Sequence, residues 1–184
     1  MDFVFDIETL GTKPGAAILT VGLALVSRAS AKVIASYYWQ VDPKTYDEPN
    51  HPSFDKECST IAWWAQQSEE ATKEAFGGEY AIEQVLDEIQ DVVSFYGGVD
   101  KAVVWGNGAT FDISILEEAF RRLGQDVPWE FYNVRCLRTL CSEVGVDWKR
   151  YLQKHRAHIA VEDAKAEARG LIVCLEKLRR MKNG

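Results

Sequence analysis

Asp6-Ile7-Glu8 closes the first apolar run of the chain, Asp2 to Ile7. In a strand, residues i and i+2 point to one face, so both carboxylates project together beside the Thr9-Leu10-Gly11 turn. Two negative charges held that close repel. Either one takes up a proton, or a divalent cation lets both stay ionised. A third carboxylate, Asp112, opens a helix after a short apolar strand and the turn Gly106-Asn107-Gly108. There its charge serves either the helix dipole or a cation. Asp163 is the fourth, and His158 precedes it by five residues. Positions five apart diverge on a continuous helix, so His158 belongs to a loop and Asp163 to the first turn of the last helix, with the imidazole reaching over the aspartate. Singly, each residue suits an ordinary structural role: a solvated acid, a helix-terminal acid, a surface histidine. Jointly, four carboxylates at element ends and one histidine are the inventory of two-metal phosphodiester hydrolysis. Hard cations such as magnesium prefer oxygen ligands, and the histidine would deprotonate the attacking water.

These side chains need elements to hold them. Periodicity predicts a strand at Asp2 to Ile7 and a hairpin of Ala16 to Val26 with Val33 to Val41, turned at Ser27 to Lys32. Pro43 to Pro52 reads as a loop. Ser59 or Thr60 is a candidate cap for a helix through Trp63, Trp64 and Gln67, and Tyr80 to Tyr96 carries a helical apolar repeat at Ile82, Val85, Leu86, Ile89, Val92 and Val93. Ala102 to Trp105 suits a buried strand. Helices are expected from Ile113 to Leu123, from Leu137 to Val144, and from about Val161 to Met181. A hairpin sheet followed by helices alternating with short strands argues for an α/β domain with a mixed sheet.

At 184 residues, 47% apolar and 27% charged, the chain predicts one soluble domain, residues 1–184, with a sizeable core. Its longest apolar run is broken by Thr20 and Gly22 and falls short of the roughly 20 residues that span a bilayer. The start Met1-Asp2-Phe3 lacks a basic signal region, so neither membrane nor export is expected. Cys58, Cys136, Cys141 and Cys174 lack zinc-site spacing, and reduced thiols in the cytoplasm are the expectation. The net charge of −7 argues against generic polyanion binding. It is unevenly distributed, with 9 basic and 22 acidic residues up to Val134 but 12 basic and 6 acidic from Arg135 onward. An acidic partner should approach the C-terminal part.

Three segments together carry a family resemblance: Asp6-Ile7-Glu8-Thr9-Leu10-Gly11, Trp105-Gly106-Asn107-Gly108-Ala109-Thr110-Phe111-Asp112, and His158-Ile159-Ala160-Val161-Glu162-Asp163-Ala164. In that order they resemble the three motifs of the DEDDh 3'-5' exonucleases, across nearly the whole chain. The tyrosine branch of these enzymes would need Tyr where Ile159 stands. Thr60 to Ser68 is similar to a subgroup that includes tailed-phage exonucleases and the bacterial exoribonuclease RNase AS. The resemblance implies a ribonuclease-H-like fold, a mixed β-sheet flanked by α-helices. It also implies that Asp6, Glu8, Asp112 and Asp163 bind two magnesium or manganese ions while His158 activates water, releasing nucleoside 5'-monophosphates from single-stranded 3' ends or overhangs of DNA or RNA, in a bacterial or phage-encoded setting. Family members often form homodimers, which makes a second copy of the chain one candidate partner.

Substrate contacts follow by similar reasoning. The resemblance makes Thr9 and Leu10 candidates for the terminal sugar and a base wedge, the alternative being a plain turn. Trp63 and Trp64 point about 100° apart on a helix, so at most one can face the site and stack on a base while the other packs inward, with Trp64 a stacking candidate. Asn107 either hydrogen-bonds the penultimate nucleotide or caps its turn. Arg135, Arg138, Lys149, Arg150, Lys154 and Arg156 either escort phosphates or form a solvated face. Lys177, Arg179, Arg180 and Lys182 suit the C-terminus of the last helix. His51 and His155 receive no role. The competing functions are a catalytically silent nucleic-acid-binding module and an endonuclease of the same broad fold.

Overall fold

A computed structural model describes residues 1–152 and 158–183. Five strands form one mixed sheet: β1 (Asp2–Thr9), β2 (Ile18–Ser27), β3 (Lys32–Gln40), β4 (Val103–Gly106) and β5 (Val134–Cys136). Their spatial order is β3-β2-β1-β4-β5, antiparallel from β3 to β1 and parallel from β1 to β5. Helices α1 (Cys58–Trp64), α2 (Glu69–Phe76), α3 (Ile82–Tyr96), α4 (Asp112–Arg122), α5 (Leu137–Val144) and α6 (Ala160–Asn183) cover it.

Strand alternation sorts the core into two layers. Phe3, Phe5 and Ile7 of β1 pack with Trp64 of α1, Ala71 and Ala75 of α2, and the apolar stripes of α3 and α4. Val4 faces the other way, onto Leu137 and Cys141 of α5 and Ala164, Ala168, Leu171 and Cys174 of α6. Asp6 and Glu8 share the parity of Val4, so they open toward α6.

Two glycines set how closely the pieces meet. Gly22 pairs with Asp6 across β1 and β2, and a Cβ there would lie 2.2 Å from the Ala160 backbone. The start of α6 therefore rests directly on the sheet beside Asp6. At the end of β4, a Cβ on Gly106 would meet Asp112 Oδ2 at 2.9 Å, so glycine leaves room for that carboxylate.

The expected α5 boundaries agree with the structure, and the other expected strands and long helices agree within a few residues. The differences have local causes. Ser59 and Thr60 do not cap α1, which starts at Cys58 with Glu57 at the cap, so both lie inside its first turn. Ser68 instead accepts a hydrogen bond from the Ala71 amide and starts α2, which periodicity did not indicate. Pro43–Asp47 forms a short 3-10 turn within the expected loop. Three-residue β5 exists through its pairing with β4.

Candidate active site

One cleft of about 740 Å³ gathers Asp6, Glu8, Asn107, Asp112, Arg138, Lys149, His158 and Asp163. Asp6 and Glu8 come from the C-terminal end of β1, where the register with β2 shifts between Glu8 and Thr9. Asp112 is buried at the start of α4. Backbone amides of Ile7 and of Asp112 itself favour its ionised form. The Ile7 amide lies beyond the last β1–β4 pair, Phe5 with Gly106, and so is open to a side-chain acceptor.

His158 occupies the left-handed region at φ 65°, uncommon for a residue with a side chain. The turn sends its amide back to Asp163 Oδ2 at 2.8 Å, which fixes the loop to the first turn of α6. Its Nδ1 lies 3.7 Å from Glu8 Oε1. One ligand atom each from Glu8, His158 and Asp163 lie within 4.8 Å of one another. The Trp63 ring packs against the imidazole edge to face, with centroids 5.0 Å apart.

Burial and mutual repulsion raise the acids' pKa values. Asp6 is driven well up by burial, then by Glu167, Asp112, Glu8 and Asp163. Asp112 is pushed up to about 7, chiefly by burial. Asp163 is raised to about 6, again by burial, with the His158 amide opposing. Glu8 is raised by burial against the hydrogen bond and charge of His158. His158 is raised by Glu8 in turn. The site thus concentrates negative charge that the protein alone does not balance. An all-carboxylate set of this kind fits hard divalent cations, which neutralise such oxygens and keep them ionised.

Among the substrate candidates, Arg138 donates to the Asn107 carbonyl at 2.6 Å, holding the loop before α4 at the cleft edge. Thr9 edges an adjoining pocket of about 360 Å³ with Glu8, Thr12, Ser59, Thr60 and Trp63. Its hydroxyl donates to the Gly11 carbonyl at 2.6 Å. Two assignments need correction. Trp64 is core: it is 2% exposed, and its indole N–H donates to the Thr9 carbonyl at 2.9 Å, so Trp63 is the ring at the pocket. Leu10 is also buried in the core and lines neither the cleft nor the adjoining pocket, so it is not placed as a base wedge.

Arg135 turns away from the cleft to the Tyr132 and Val134 carbonyls, and Arg150 is exposed outside the cleft lining. Lys154, His155 and Arg156 lie outside the described residues. Lys177 serves α5 instead of its own helix, donating to the Val144 and Gly145 carbonyls, and Arg179 donates to the Arg28 carbonyl.

Glu167 is the acid that sequence reasoning missed. It lies fully buried in the cleft wall, one turn after Asp163 on α6, and that i, i+4 spacing was the available signal. Asn107 approaches it and favours its charged form, yet neither carboxylate oxygen gains a hydrogen bond of proper geometry.

The sequence profile of the 3'-5' exoribonuclease Rv2179c-like domain matches residues 1–175. The chain belongs to that family. This makes it a member of a 3'-5' exonuclease family. No curated protein sequence matches the chain. Among solved structures, it is similar to E. coli exonuclease I in complex with a dT13 oligonucleotide, with TM-score 0.70 and 15% identity over 99% of this chain and 42% of that one. It is also similar to the nuclease domain of 3'hExo, a DEDDh family member, bound to rAMP, with TM-score 0.59 and 17% identity over 95% of this chain and 92% of that one. A zinc-bound exonuclease I complex with single-stranded DNA aligns at TM-score 0.66 and 16% identity, over 98% of this chain and 41% of that one. The chain spans about two fifths of the exonuclease I chains it resembles. These likenesses establish the ribonuclease-H-like fold of this family member.

Proposed function

We propose that the protein is a divalent-metal-dependent exonuclease that removes nucleoside 5'-monophosphates from the 3' ends of single-stranded RNA or RNA overhangs. The convergence of Asp6, Glu8, Asp112, Asp163 and His158 in one cleft carries this reading. The four carboxylates would hold two magnesium or manganese ions. When bound, such ions supply positive charge at the scissile phosphate and lower the pKa of water.

The remaining work falls to side chains of this chain. His158 takes the proton of the attacking water, and Glu8 beside Nδ1 steadies the imidazolium that results. Arg138 and Lys149 at the cleft edge attract the strand's phosphates. The terminal nucleotide fits the adjoining pocket, where Trp63 offers a ring to the base and Thr12, Ser59 and Thr60 offer hydroxyls. A 2'-hydroxyl both donates and accepts, so hydroxyl-bearing walls suit RNA, and the family's exoribonuclease description supports the same choice.

The test is digestion of 5'-labelled and 3'-labelled RNA and DNA, single and double stranded, with magnesium, manganese or EDTA. The expected result is stepwise shortening of 5'-labelled RNA, immediate release of label from the 3' end, and silence in EDTA. Cleavage of a 3'-blocked strand at internal positions would point to an endonuclease, and binding without cleavage to a silent module.

A further inference from the structure

Glu167 has no place in the four-carboxylate set, and its surroundings are unfavourable for an ordinary structural acid. It is fully buried, and both its oxygens lack hydrogen-bond partners among the described residues. A buried carboxylate left in that state costs several kcal/mol or more unless something compensates it. Its nearest charged company makes matters worse. It is the strongest charged neighbour of Asp6 and also faces Asp112 and Asp163. The positive charge of Arg138 opposes this repulsion without forming an ion pair with Glu167. A further acceptor in the same wall, Asn107 Oδ1, is likewise buried and without a partner. Unpaired oxygens therefore line the side of the cleft where β1, the loop before α4, and α6 meet.

Resting on the metal-dependent reading above, we propose that Glu167 is a fifth carboxylate of the cation centre, completing the oxygen shell of the ion on the Asp6 and Asp112 side. The position suits this role. Asp163 and Glu167 lie one turn apart on the same face of α6, and Gly22 lets that helix press against β2 beside Asp6. A hard divalent cation takes six or more oxygens, and carboxylates added to its shell raise affinity. Charge also closes: five carboxylates are matched by two dications and the Arg138 guanidinium before any phosphate enters.

The test is titration of the metal-free protein with Mn2+ by calorimetry and by thermal denaturation, comparing wild type, Glu167→Gln and Asp6→Asn. Glu167→Gln keeps the shape and removes the charge. Wild type should bind two ions. Glu167→Gln should lose roughly 10- to 100-fold in affinity for one of them, unfold at a higher temperature than wild type in EDTA, and gain less from Mn2+. A Glu167→Gln protein that binds Mn2+ as wild type does would overturn the assignment while Asp6→Asn still loses binding, leaving the metal-dependent reading intact. Wild type that binds no Mn2+ would overturn both. If the variant does not fold, anomalous scattering from wild-type crystals soaked in Mn2+ decides instead: an ion within about 2.5 Å of a Glu167 oxygen supports the proposal, and none within reach refutes it.

Discussion

Each acid in the cleft is unfavourable to the metal-free fold and, on the proposed function, needed for the chemistry, so its removal should separate stability from activity. Asp6→Asn and Asp112→Asn are expected to abolish hydrolysis yet leave the protein as stable as wild type or more so in EDTA, because each deletes a buried, repelled carboxylate. Gel assays beside thermal melts would show it. His158→Ala should lower kcat at least ~100-fold with the fold retained. Activity within tenfold of wild type would move the base role to another group. The tandem tryptophans divide in the same manner. Trp64→Ala removes a buried ring and its bond to Thr9, for an expected loss of about 3–5 kcal/mol in denaturant unfolding. Trp63→Ala, at the pocket wall, should raise KM while unfolding shifts little. Adjacent helical positions made one role inward and one outward legible in the sequence. Which ring took which depended on Thr9 presenting its carbonyl to Trp64.

Among the elements, the contact of α6 with β2 governs the site, since that helix delivers Asp163 and Glu167 and its entry turn delivers His158. Gly22 is where the two backbones touch. Gly22→Ala places a methyl carbon 2.2 Å from Ala160 unless the helix moves. The expected outcome is a loss of about 1–3 kcal/mol in stability, with weakened Mn2+ binding and lower kcat, measured by denaturation, calorimetry and RNA digestion. Unchanged metal affinity would show that the first turn of α6 tolerates displacement. In the sequence, Gly22 stood out only as an interruption of an apolar run. Its purpose depends on a helix almost 140 residues later in the chain. Likewise β5 is too short to show an alternating pattern, and its strand character comes from the edge of β4.

The whole molecule couples these charges to pH. The folded-state values of Asp112, about 7, and Asp163, about 6, lie above their ordinary 3.8. Between about pH 4 and 7 the folded protein thus holds more protons than the unfolded chain, and stability falls as pH rises through that window. His158 acts in the same sense, because Glu8 raises it: its contribution is present below about pH 6.5 and is lost as pH climbs through the raised value. In EDTA the melting temperature should fall from pH 5 to pH 8. Millimolar magnesium or manganese should restore it most at pH 8, where the carboxylates are ionised and bind cations best. A flat profile in EDTA would mean that protein groups already balance the acids. The basic segment from Arg135 onward bears on the same surface: Arg138 and Lys149 lie at the cleft, so raising salt should weaken RNA binding.

Read alone, the sequence determined the elements whose patterns are local: the β1 parity that pairs Asp6 with Glu8, the amphipathic stripes of α3 and α4, and the separation of His158 from Asp163 by a loop and a helix start. Motif order carried the family and, with it, five residues of the cleft. Tertiary structure decided what depends on approach between distant segments. Trp64 and Leu10 became core, and Trp63 and the hydroxyls of Ser59 and Thr60 came to the pocket. Glu167 entered the cleft because α6 lies across β1 and β2, a placement set by packing of the Ala164, Ala168 and Leu171 face on Val4, Ala24 and Val26. Periodicity says which face of a helix is apolar, but where that face comes to rest depends on the surface opposite it.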